Sequence, residues 1–180
     1  MTTSARATHW LVGVAQRASL PGAAALTTAI TTPVTVAWKD VGQTCGQDDA
    51  AIAACVAGYF RLPVADLRTA QPGARRLLPE ALARRRGVFP LRVDDKHIVV
   101  ATSDPTNLDV EQDVSFASGR HVTLEIAPPT SIAEIIDASY APQKSIERMV
   151  ARPMPRKLQI ERQPHYWASL RIALIDLAST

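Results

Sequence analysis

Residues 79–105 read PEALARRRGVFPLRVDDKHIVVATSDP, and the order of signals within them decides the fold. Pro79 suits the first turn of a helix, where its missing N–H is no loss, and Gly87 sits where that helix should end in a left-handed residue. Phe89, Leu91 and Val93 then alternate with Pro90, Arg92 and Asp94, the period of a half-buried strand. Asp94-Asp95-Lys96 makes a polar turn into Ile98-Val99-Val100-Ala101, a second and more buried strand. The two runs predict a hairpin, closed by Asp104-Pro105, because the residue before proline is pushed out of the helical region.

Beyond the hairpin the same reading continues. Thr106 with Asp109 resembles a capping box, and Val110, Val114 and Ala117 give one apolar helix face up to Gly119. Val122, Leu124 and Ile126 alternate as a third strand. Pro128-Pro129 breaks it, and Ser131 with Glu134 opens a helix carrying Ile132, Ile135 and Ile136. The expected architecture is α+β: an N-terminal helical subdomain followed by a small three-stranded sheet packed with helices. Phe89, Leu91, Val93, Ile98, Val99, Val122, Leu124, Ile126, Ile132, Ile135 and Ile136 are expected to share one core.

Upstream, His9 to Ala18 predicts a short helix, and Pro21 opens an alanine-rich helix from Ala23 to Ile30. Val34 to Trp38 reads equally as strand or loop. Asp48 and Asp49 introduce a helix from Ala50 to Phe60, with Ile52, Cys55, Val56 and Tyr59 on one face. Leu26 to Ile30 weakly echoes Ile52 to Val56, which suggests a degenerate tandem helical motif. Gln71-Pro72-Gly73 separates the helical part from the α/β part. The expected division is therefore 1–67 helical subdomain, 68–141 α/β domain, and 142–180 a proline-rich basic linker with a short amphipathic helix. That last helix, Tyr166 to Leu177, carries Trp167, Leu170, Leu174 and Leu177 at helical spacing.

Composition narrows the class. Hydrophobic residues are 47% and charged residues 21% of 180, which permits ordinary globular burial. A formal charge of +3 is too weak to argue for nucleic acid. No run approaches the roughly 18 apolar residues of a membrane span, and the start does not read as a signal peptide. A cytosolic protein is expected. Cys45 and Cys55 lack the spacing and companions of a zinc site and read as reduced thiols. No metal and no cofactor are expected, and no catalytic constellation is visible: Asp48-Asp49 reads as a helix start and Asp94-Asp95 as a turn.

Arginine is the one functional concentration: Arg68, Arg75, Arg76, Arg84-Arg85-Arg86 and Arg92. Such a run is either a solvated helix face or a basic patch for an acidic partner or anionic lipid. The candidate partner-binding residues are Arg75, Arg76, Arg84, Arg85, Arg86, Trp167, Leu170 and Leu174.

Several ordered pieces carry a family resemblance: Ile52 to Leu67, Leu78 to Arg85, Phe89 to Val93, Val99 to Ala101, Asp104-Pro105, Gly119-Arg120 and the Ile132 to Tyr140 helix. Together they resemble the N-terminal domain of type II secretion and type IV pilus assembly ATPases. The resemblance implies a non-catalytic adaptor that docks a motor to the cytosolic domain of an inner-membrane assembly protein, or that meets a secretion ATPase. Membrane association would come only through that partner. No Gly-x-x-x-x-Gly-Lys-Ser/Thr occurs, so no phosphate-cradling loop is present, and the module is expected to be free-standing or a piece of something longer. Some members of the family bind cyclic di-GMP through tandem motifs opening with Arg-Leu-Gly. Here the openings read His9-Trp10-Leu11-Val12-Gly13 and Trp38-Lys39-Asp40-Val41-Gly42, without that arginine, and Arg61 replaces the glycine usual before Leu-Pro.

Overall fold

A three-stranded sheet, order β1-β2-β3, stands at the centre of the α/β part. β1 (Val88–Val93) pairs antiparallel with β2 (His97–Thr102), and β2 pairs parallel with β3 (His121–Ile126). The computed structural model describes residues 7–150. One compact unit spans Met1–Gln143. The hairpin and third strand thus form where the sequence predicts, and the parallel pair requires a crossover, supplied by helix α6 (Leu108–Ser118). β1 departs from simple alternation. Val88, Phe89, Pro90 and Leu91 are all buried, and the register shifts between Pro90 and Arg92. Proline cannot donate to a ladder, and a bulge absorbs the misfit.

Helix α1 (Trp10–Arg17) opens at His9, whose Nδ1 accepts a hydrogen bond from the Leu11 N–H at 3.2 Å. Burial holds the His9 imidazole below the usual histidine range against the opposing pull of Asp104, which suits an unprotonated acceptor. The alanine-rich stretch after Pro21 is not a helix to Ile30. It makes one 3-10 turn, Ala23–Ala25, and then extends, so that Ala29 bridges Thr8. His9 N–H donates to Thr28 O at 2.9 Å and Ile30 N–H to Ala7 O at 3.1 Å. The N-terminal residues thus supply the backbone partners that a helix would have supplied internally. The echo between Leu26–Ile30 and Ile52–Val56 is therefore not a helical repeat.

Val34 to Trp38 belongs to helix α2 (Val34–Cys45), which buries Ala37, Trp38, Val41 and Cys45 as one stripe and stops at left-handed Gly46. Helix α3 (Asp49–Phe60) is capped by Asp48, whose carboxylate accepts from Ala51 N–H at 2.7 Å. Its inward residues are Ile52, Ala53, Val56 and Ala57; Cys55 is half-buried and Tyr59 is exposed. Gln71-Pro72-Gly73 is a helix start: Pro72 opens α4 (Pro72–Leu77). Helices α5 (Glu80–Arg86) and α7 (Pro129–Val150) complete the set.

Two apolar cores result. One joins α1, α2 and α3 and takes in Ile126 from β3. The other holds Leu78, Phe89, Leu91, Ile98, Val100, Val110, Val114, Leu124, Ile132, Ile136 and Tyr140. Val93, Val99, Val122 and Ile135 lie at its rim, half-buried, while Ile126 serves the helical core instead. The segment before Leu67 also touches the sheet. Ile126 N–H donates to Pro63 O and Ala65 N–H to Ile126 O, both at 2.8 Å, and Val64 bridges Ile126 in parallel. The edge of β3 is thus partly covered by Pro63–Ala65, which limits edge pairing.

Candidate functional site

The arginine run predicted as a basic patch lies on α5, and each of its arginines meets carboxylates from elsewhere in the chain. Arg84 Nε lies 2.8 Å from Glu80 Oε1 one turn back, and its Nη1 lies 2.6 Å from Asp137 on α7. Arg85 reaches Asp113 of α6 at 3.0 Å. Arg86 reaches the same Asp113 at 2.7 Å and Asp109 at 3.2 Å. The hydrogen bond from Arg86 holds the Asp113 carboxyl below the usual carboxylate range, with Arg85 adding to it. Arg84 and Arg86 are pushed above the ordinary guanidinium value, chiefly by the hydrogen bonds they donate to Glu80 and Asp113 respectively. Three guanidiniums thus face four carboxylates, and the run behaves as a clamp of α5 on α6 and α7. Its pairs are too exposed to count as strong stabilisers.

The other candidates are scattered. Arg75 turns inward and donates to Ser139 O on α7 at 2.9 Å. Arg76 is exposed on α4. Trp167, Leu170 and Leu174 lie outside the described residues. Arg92, outside the candidate set, pairs with Glu125, whose carboxylate is buried.

Beside the clamp is a cleft of about 460 Å³ between the start of α2, the end of α5, the β2–α6 loop and the start of α7. Val34, Ile132 and Ile136 give it an apolar side; Ser103, Asp104 and Asn107 give a polar one, and Arg84 to Arg86 form the rim. Asp104 is occupied locally: its Oδ1 accepts from the N–H and the hydroxyl of Thr106 at 3.0 and 2.6 Å. Neither sequence opening considered for a cyclic dinucleotide presents a free side chain here. His9 caps α1, and Trp38 is buried in the middle of α2 with its Nε1–H on Ser103 O at 3.3 Å. Among the described residues no group of three or more His, Cys, Asp or Glu side chains could hold a metal ion. No described helix is long and apolar enough to cross a membrane.

A second surface was not legible as a site. Arg17, Tyr59 and Arg61 meet at the C-terminal ends of α1 and α3, around an open hollow of about 680 Å³. Only the arginine at position 61, in place of a glycine, hinted at it.

Residues 60–146 match the MshEN domain. Two type IV pilus assembly ATPases named PilB are similar in sequence. The one from Thermus thermophilus is 33% identical over 121 residues, 63% of this chain and 13% of that protein. The one from Myxococcus xanthus is 30% identical over 71 residues, 39% of this chain and 12% of that protein. The chain therefore spans only a small part of the curated relatives it matches. Among solved structures, one of MshE with cdg superposes with a TM-score of 0.52 at 19% identity, covering 72% of this chain and 98% of that one. A structure of the N-terminal domain of XpsE gives 0.54 at 16% identity, covering 71% and 91%. At such identities the likeness is one of fold.

Proposed function

We propose, from the premise that residues 60–146 form an MshEN domain, that this chain is a non-catalytic docking module of a bacterial secretion or pilus machine. The observation that carries the reading is that family match, joined to sequence similarity with type IV pilus assembly ATPases. Its partner is the cytosolic domain of an inner-membrane assembly protein, or a secretion ATPase, and it works at the cytoplasmic side of that membrane. The geometry supports binding over chemistry: the carboxylates near the cleft are already engaged by arginines or by their own turn. Calorimetric titration of the full chain into the purified cytosolic domain of such an assembly protein is expected to give a saturable complex. Absence of binding both there and to the partner ATPase would remove the docking reading.

A second reading, a cyclic di-GMP receptor with degenerate motifs, is favoured by the mixed polar and apolar cleft beside Asp104 and by the likeness in fold to MshE, solved with cdg. The placement of His9 and Trp38 argues against it, since neither supplies the cation that would meet a phosphate. Titration of cyclic di-GMP into the protein is expected to give no saturable heat at micromolar concentration. A saturable isotherm would make this second reading the correct one.

A further inference from the structure

The arginines of the hollow at the ends of α1 and α3 differ from those that carry carboxylate partners. Arg68, Arg84, Arg85, Arg86 and Arg92 each lie within salt-bridge distance of a carboxylate of this chain. Among the described residues, no such pair involves Arg17 or Arg61. Arg17 ends α1 with its guanidinium 5.8 Å from the ring centre of Tyr59, a residue 47% exposed. Arg61 follows α3 in the left-handed conformation, φ 57° and ψ 39°. Glycine takes that conformation without strain, whereas a residue with a Cβ pays for it. A long cation therefore stands where the backbone favours no side chain, beside a second uncompensated cation and an exposed aromatic ring. Strain kept at such a position points to use of the side chain.

We propose that Arg17, Tyr59 and Arg61 form the contact point for an acidic segment of the docking partner, with the two guanidiniums taking Asp or Glu carboxylates and the phenol ring lying under the chain. This rests on the docking reading above and gives the partner its chemistry. Charge complementarity selects the occupant: planar forks match carboxylates, and neither fork is occupied from within the described fold. The hollow is open, with only Val14, Ala18 and Cys55 as small apolar lining, and does not enclose a small ligand. Two arginines are also fewer than the roughly four to eight basic residues of an anionic-lipid patch.

The test uses the full chain, a fluorescein-labelled decapeptide alternating Glu and Gly, and its Gln-Gly counterpart. Arg61→Gly relieves the left-handed strain, so Tm should rise by a few degrees while affinity for the acidic peptide falls. The Arg17→Ala/Arg61→Gly pair should bind it about tenfold more weakly, with a flatter salt dependence. A rise in Tm excludes misfolding as the cause of lost binding. Equal affinity of wild type for the two peptides would overturn the proposal. So would unchanged binding by the double variant, or arginine-dependent recruitment to phosphatidylserine vesicles with no peptide binding. Titration with the assembly-protein domain separates the two readings. If that domain binds wild type and double variant equally, docking stands and this surface is wrong. If it binds neither while the acidic peptide still discriminates, the surface stands and the partner was misassigned.

Discussion

Replacing Trp38 by alanine is expected to lower the unfolding free energy by about 3–5 kcal/mol, the range for emptying a large aromatic site in a core. Trp38 is 1% exposed and heads the large side chains that the fold buries completely. It sits in the middle of α2, within the helical core, and its indole N–H reaches Ser103 O, at the end of β2, at 3.3 Å. The substitution therefore opens a cavity and strands a carbonyl in a residue that is itself 5% exposed. Against a typical stability of about 5–15 kcal/mol this is a large fraction. Trp38→Phe keeps most of the volume and loses the hydrogen bond, so it should fall between wild type and alanine. Because Leu62 packs against both cores and Ile126 crosses from the sheet into the helical one, urea unfolding should remain one transition. A loss below about 1 kcal/mol for the alanine variant would show that the indole is not the keystone of the two layers.

Most of the elements could be read from residues because their signals are local. Asp48 before Ala50, Gly87 after the arginines and the alternation from Val122 to Ile126 each act within a few positions, and each marks a real boundary or strand. Local preference misleads where distant contacts overrule it. Val34-Thr35-Val36 is β-branched and reads as strand or loop, yet the stripe Ala37, Trp38, Val41 and Cys45 wins by packing on α1 and α3. Ala23 to Ile30 looks helical by alanine content, but residues 7–9 offer it a strand partner. The arginine run shows the same limit at the level of the site. Its composition was plain, whereas Asp109, Asp113 and Asp137 lie more than twenty positions away and neutralise it only after folding. The reverse holds for Arg17 and Arg61: only the second stands out in the sequence, by replacing a glycine, and the fold alone brings them together without a carboxylate.

Substitution of Tyr140 is expected to loosen α7, and its effect should depend on pH. Ile132, Ile136 and Tyr140 follow at four-residue intervals on α7 and are each no more than 2% exposed, so they are one buried stripe. The phenol donates to Leu78 O at 2.9 Å, and its ring stands edge-on to Phe89 with centroids 6.4 Å apart. Tyr140→Ala should cost about 3–5 kcal/mol, and Tyr140→Phe about 1 kcal/mol from the lost hydrogen bond. Burial pushes the phenol up to about 12 from its usual 10, with Arg75 opposing and Glu80 assisting. The folded state therefore prefers the protonated phenol, while the unfolded chain releases that proton near pH 10. Its contribution is complete below pH 10 and is lost as pH climbs through 12. Between pH 9 and 11.5 wild type should lose about 2 kcal/mol more than Tyr140→Phe, because every other alkaline titration is common to both proteins. Urea melts of the two at these pH values give the difference directly. Parallel curves would mean that water reaches the hydroxyl and that the phenol's hydrogen bond does not anchor α7.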